Sequence, residues 1–118
     1  MRRTRAPGAG NARELKVMAV LAEEGWLCAS RRHIGGAGDV LAIQETDNPY
    51  PRTVDAMLIE VKSTTRNPWN DFGPEDRRAL IETAERYGAE PWLYYWPARG
   101  QLRRIHGSEF PADRRQAA

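Results

Sequence analysis

The sequence predicts an α/β protein, a mixed β-sheet flanked by helices in the order α-β-β-β-α-β-β. Two apolar runs of strand length, Asp39–Gln44 and Ala56–Lys62, sit close together and carry acids. Two stretches with helical spacing, about Asn11–Glu24 and Pro74–Tyr87, are each followed by a glycine, Gly25 and Gly88. The second helix lies between two strand-like runs. That makes a βαβ unit, right-handed with parallel strands.

Residues 1–10 are rich in Arg, Gly and Pro and read as a flexible basic arm. The spacing predicts the first helix from about Asn11. Leu15, Met18, Ala19 and Ala22 form its inward stripe, widened by Val17, Val20 and Leu21. Taken alone, Asn11-x-x-Glu14 fits a capping box, with Glu14 serving the helix start. Trp26–Arg31 reads as strand 1. A loop follows at 32–38, with Gly35, Gly36 and Gly38 for close backbone approach and His33 as a solvated residue.

Strand 2 is Asp39–Gln44. The polar stretch 45–52, with Pro49 and Pro51, reads as the tip of a long hairpin into strand 3, which starts between Thr53 and Ala56 and ends at Lys62. Trp69, in the following loop, either stacks on a base or sugar or caps the core edge. Helix 2 opens on Pro74, with Leu80, Ile81, Ala84 and Tyr87 inward. Strand 4 is Glu90–Trp96. It is apolar on both faces, Trp92/Tyr94/Trp96 and Leu93/Tyr95, so both need cover. A helix of the chain or a second copy would provide it. Gln101–Ile105 is strand 5. The expected organisation is one domain over 11–110 and a disordered tail over 111–118.

The 118 residues suffice for one core. A net charge of +2 excludes a strongly polyanionic or polycationic chain, but the basic residues cluster. Arg2, Arg3, Arg5, Arg13 and Lys16 lie early, Arg31 and Arg32 adjoin, and Arg103 and Arg104 come late. Such clusters suit a phosphate backbone, and solubility explains them equally. The single cysteine, Cys28, excludes a disulfide framework within the chain. No apolar run has membrane-spanning length, and the N-terminus lacks the apolar stretch of a secretion signal. A cytoplasmic location is expected.

The candidate chemistry sits on strands 2 and 3. Glu60 and Lys62 are two residues apart on one strand, so they project from the same face, about 7 Å apart. If the strands pair, Asp39 joins them. Two carboxylates and an ammonium at a sheet end suit Mg²⁺ and phosphodiester hydrolysis. Charges at strand ends are also common as solvated groups, and a lone Glu-x-Lys carries little information.

The wider pattern resembles the PD-(D/E)xK nuclease superfamily, and within it the archaeal-type Holliday junction resolvases, found also in phages. The resemblance covers roughly Gly10 to Ile105. It rests on Gly10-Asn-Ala-Arg-Glu14, Gly25-Trp26, Gly38-Asp39-Val-Leu-Ala-Ile43, Leu58-Ile-Glu60-Val-Lys62-Ser63 and Ala84-Glu-Arg-Tyr-Gly88. Glu14 stands eleven positions before Gly25, as the family's helix-1 glutamate stands before a Gly-aromatic pair. That spacing reverses the capping reading.

The resemblance implies a restriction-endonuclease-like fold and the catalytic set Glu14, Asp39, Glu60 and Lys62. It implies Mg²⁺, with Mn²⁺ as a substitute, held by Asp39, Glu60 and the Val61 carbonyl, and Glu14 completing the site. It implies a homodimer acting on branched DNA and leaving 5′-phosphate and 3′-hydroxyl ends. Expected DNA contacts are Arg2, Arg3, Arg5, Arg13, Lys16, Ser30 or Arg31, Arg32 and Trp69.

The sequence departs from the family in several places. Gly38 replaces the usual proline before the aspartate, Leu15 an arginine after the helix-1 glutamate, Ala9 a basic residue and Asp76 a helix-2 glutamine. The 45–55 hairpin is longer than usual. Three readings stand: a junction-resolving endonuclease, another nuclease of the superfamily acting on flaps, nicks or duplex sites, and a non-catalytic DNA-binding module.

Overall fold

The first helix turns an acid, Glu14, to the sheet together with two apolar residues. The computed structural model describes residues 9–31, 35–47, 53–63, 67–97 and 100–112. Helix α1 (Ala9–Glu23) begins two residues before the expected start, so Asn11 lies inside its first turn and is not the cap. Its buried positions are Glu14, Val17 and Leu21, a stripe at i, i+3, i+7. The expected stripe is displaced: Leu15 is 56 % exposed, Ala19 and Ala22 are exposed, and Met18 is half-buried. Apolar residues occur nearly all round this helix, so periodicity alone does not choose a face.

Strands β1 (Leu27–Ser30), β2 (Val40–Glu45) and β3 (Val54–Lys62) form an antiparallel meander. Strand β4 (Glu90–Tyr95) runs parallel to β3, and β5 (Arg103–His106) is antiparallel to β4. The five-stranded sheet has the order β1-β2-β3-β4-β5. Thr46 and Thr53 close the neck of the β2–β3 hairpin, backbone to backbone at 3.0 Å and hydroxyl to hydroxyl at 2.8 Å.

Helix α2 (Pro74–Tyr87) has the predicted bounds. Gly88 ends it in the left-handed region at φ +69°, donating to the Ala84 and Glu85 carbonyls. Its buried face is Arg77, Leu80 and Ala84; Ile81 is half-buried, and Tyr87, expected inside, is 73 % exposed. Two short 3₁₀ turns, Pro68–Asn70 and Gly107–Glu109, were not predicted.

Alternation along β3 divides the core. Met57, Ile59 and Val61 pack with Val17, Leu21, Val40, Ala42 and Tyr94 on the α1 side. Leu58 packs with Phe72, Leu80, Ala84, Ala89 and Leu93 on the α2 side. Both faces of β4 are thus covered within one chain, so β4 is not the surplus apolar surface that sequence suggested. That surplus lies at the other end of the sheet. Leu27, Leu41 and Val54 are 70 %, 38 % and 54 % exposed, because α2 spans β3 and β4 and leaves β1 and β2 bare.

Arg104 ties β5 to the end of α1 through a bidentate pair with Glu24 at 2.8 and 2.7 Å, and lies over Tyr94. It is committed to the fold and is a poor choice for a phosphate contact. Residues 1–8 (with Arg2, Arg3 and Arg5), 32–34 (with Arg32 and His33) and 113–118 lie outside the described residues. Among those described, no helix is long and apolar enough to cross a membrane.

Candidate active site

Strand pairing brings the candidate residues together. Val40 pairs with Ile59 across the β2–β3 ladder, which sets Asp39 opposite Glu60. Asp39 is held at three points. Its backbone N–H donates to Ile59 O at 2.8 Å, its carbonyl accepts from Arg31 N–H at 2.8 Å, and its Oδ2 accepts from Val61 N–H at 2.8 Å. The carboxylate therefore ends the ladder where β2 leaves β3, which fixes its orientation. Lys62 follows on the same face as Glu60, with Nζ 3.4 Å from Glu60 Oε2. Lys62 Nζ also lies 6.0 Å from the Phe72 ring centroid.

The pair is electrostatically loaded. The Glu60 side chain is only 17 % exposed. Burial, and then the charge of Asp39 beside it, push its carboxyl up to about 7 against the opposing pull of Lys62. A carboxylate pair in that condition favours a cation. The two open onto a cleft of about 440 Å³ walled by Gly36, Ala37 and Gly38 on one side and by Asp76 and Ala79 of α2 on the other. Among the described residues no third Asp, Glu, His or Cys completes a metal cage. Mg²⁺ does not require one, since it keeps several waters and takes one or two carboxylates plus substrate phosphate. The donor set fits a hydrated Mg²⁺.

Glu14 is brought to the same end of the sheet, but not into this pair. It shares the buried stripe of Val17 and Leu21, which packs on the α1 side. Neighbouring Arg13 donates from Nε to Ser63 Oγ at 3.2 Å, so the start of α1 lies against the end of β3. Of the two strand-1 candidates, Arg31 is the one on the face of the carboxylates. Ser30 pairs with Val40 and so faces the α1 side, whereas Arg31 stands across from Asp39. Its guanidinium donates to the Ala37 and Gly35 carbonyls and braces the loop lining the cleft. Trp69 is half-buried with Phe72 at 6.3 Å and Phe110 at 5.6 Å, and Arg77 lies over its ring. It serves the core edge.

Gly38 has a stricter role than a permissive turn. Its φ is +88°, and a Cβ there would lie 2.6 Å from Leu58 Cδ1, a side chain that is itself buried. Proline, the residue usual in the resembled family, is locked near −65° and cannot adopt this geometry. Gly38→Ala should lower stability by about 1–3 kcal/mol from backbone strain alone, with overpacking added. Gly38→Pro should unseat Asp39 as well. Thermal melts check the first expectation, and Mg²⁺-induced stabilisation checks the second.

Sequence reasoning named Asp76 only as standing in place of the resembled family's helix-2 glutamine and gave it no part in the cleft wall, and it missed the contacts of Ser63 and Trp96 with α1. Nothing local in the sequence points to these contacts.

No family profile matches this chain, and no curated protein matches it in sequence. Among solved structures it is similar to Archaeoglobus fulgidus Hjc, a Holliday junction resolvase from an archaeal hyperthermophile. The TM-score is 0.65 at 17 % identity, over 86 % of this chain and 75 % of that one. The mixed five-stranded sheet flanked by helices, with β3 and β4 parallel at its centre, is the restriction-endonuclease-like fold of that protein.

Proposed function

We propose that this protein is a Mg²⁺-dependent endodeoxyribonuclease that resolves four-way DNA junctions by paired hydrolytic incisions. The observation that carries the reading is the Asp39–Glu60–Lys62 constellation, with Glu60 pushed up to about 7 at the mouth of an open cleft. The likeness of fold to a Holliday junction resolvase supports the choice of substrate.

Asp39, Glu60 and the Val61 carbonyl would hold the ion. When bound, Mg²⁺ supplies Lewis-acid stabilisation of phosphoryl charge and lowers the pKa of a bound water. The protein's own residues supply position. Asp39, pinned by Val61 N–H, presents its carboxylate in one orientation. Lys62, 24 % exposed with Nζ 3.4 Å from Glu60 Oε2, would pair with a phosphate oxygen and orient the attacking water. The Arg31-braced loop keeps one wall in place.

The test is cleavage of a synthetic four-way junction in Mg²⁺ beside matched duplex, flap and single-stranded DNA. The junction should be cut in preference to the others. Asp39→Asn and Lys62→Ala should retain it in gel shifts and fail to cut it. Equal cutting of flap or duplex would favour a general nuclease of this fold. Binding without cutting by the wild type would favour a non-catalytic module.

We further propose that two copies pair through the bare β1–β2 face. An apolar groove of about 420 Å³ runs there between the sheet and α2, lined by Leu41, Ile43, Val54, Ala56 and Tyr87 with Arg31 at one end. A self-complementary contact about a two-fold axis would bury this apolar groove, so a second copy suits it in hydrophobicity.

A further inference from the structure

A second cluster of chemistry lies on the α1 side of the same sheet end. Lys62 pairs in register with Tyr95 on the parallel neighbour β4, so the next residues on each strand, Ser63 and Trp96, adjoin. Helix α1 lies over them. Arg13 Cζ is 5.5 Å and Lys16 Nζ 5.2 Å from the Trp96 ring centroid, and Arg13 Nε donates to Ser63 Oγ at 3.2 Å. Two cations one helical turn apart thus share one indole. Like charges at i, i+3 repel. Here the ring quadrupole holds them together. Trp96 packs at the edge of the α1-side core, so the cations it holds have a fixed floor. Two cations on one ring with a hydroxyl beside them, between a helix and a strand end, present the kind of donors that a phosphate takes.

We propose that Arg13, Lys16 and Ser63, seated on Trp96, form a clamp for a backbone phosphate of bound DNA next to the one that is cut. The clamp rests on the nuclease reading for its ligand but not for its geometry. The carboxylates project from the α2 side of β3 and the clamp from the α1 side, with Lys62 and Ser63 consecutive between them. A strand crossing the end of β3 meets both. Arg13 and Lys16 are positioning residues in this arrangement and take no part in bond breaking.

The experiment measures the affinity of a fluorescent four-way junction over a range of salt, in the non-cutting Asp39→Asn background. Arg13→Gln/Lys16→Gln should reduce the slope of log affinity against log salt by about 1, since the clamp neutralises one phosphate and its counterions are no longer released. Lys16→Gln alone, at an exposed position, should reduce it by less than the double variant does. DNA should also change the emission of Trp96, read as the difference between wild type and Trp96→Phe. An unchanged slope in a folded double variant that still binds the junction would overturn the clamp and leave the nuclease reading standing. A reduced slope, with no cutting by the wild type in Mg²⁺, would uphold the clamp and overturn the nuclease reading. Failure of the Asp39→Asn protein to bind DNA at any salt would overturn both.

Discussion

Glu60→Gln should abolish DNA cleavage, leave DNA binding intact, and make the metal-free protein more stable above neutral pH. The first effect follows from removing one of the two carboxylates that face each other across β2 and β3. Lewis-acid and charge stabilisation of this kind is worth several kcal/mol in the transition state, on the order of 10³-fold in rate. The second follows because the amide keeps the shape of the carboxylate, and the candidate DNA contacts lie elsewhere.

The third effect is a matter of sign. In the unfolded chain Glu60 loses its proton near 4.5; in the folded protein it keeps it to about 7, chiefly because it is buried and secondly because Asp39 is beside it. Between those values the folded state binds more protons, so stability falls as pH rises from about 4.5 to about 7 and stays low above. A gap of that size corresponds to a cost on the order of 3 kcal/mol, little screened at a side chain this buried. Glutamine cannot ionise and escapes it. Melting curves at pH 5 and pH 8 in a chelator should therefore converge for Glu60→Gln and separate for wild type. Mg²⁺ at pH 8 should raise the wild-type midpoint and not that of the variant. Identical pH dependence in the two proteins would remove the electrostatic basis of the site.

Leu41→Glu should convert a dimer into a monomer and change the product of plasmid cleavage. Leu41 is 38 % exposed at the middle of the bare β1–β2 face. A carboxylate there costs the monomer little, whereas a self-complementary contact sets it against its own copy and buries it twice. Light scattering reads the assembly directly. The functional consequence appears on a supercoiled plasmid that extrudes a cruciform. One nick relaxes the plasmid and reabsorbs the cruciform, so a lone site accumulates nicked circles. Two sites acting within one encounter yield linear plasmid. Wild type should give mostly linear product and Leu41→Glu mostly nicked circles. A wild type that is monomeric and accumulates nicked circles at saturating enzyme would reject paired incision.

The strand chemistry of the site was legible because strand geometry is local. A period of two sets Glu60 and Lys62 on one face whatever the rest of the chain does, and an antiparallel hairpin between neighbouring runs needs only that Asp39 fall opposite. The bounds of α2 were legible for the same reason, since Pro74 and Gly88 act on their own backbone. Helix α1 was not, because apolar residues all round it leave the choice of face to what it packs against, and the sheet chose Glu14, Val17 and Leu21.

By itself, then, the sequence determined the element order, the mixed sheet and the Asp39–Glu60–Lys62 set. Only the tertiary structure decided that Glu60 is buried enough to be pushed up to about 7, that Gly38 has φ +88° where proline cannot serve, that the uncovered apolar surface is β1–β2 and not β4, and that Arg13 and Lys16 meet over Trp96. Each depends on what lies across the fold from a residue: desolvation, close approach and coverage are properties of neighbours distant in sequence, which no local pattern encodes.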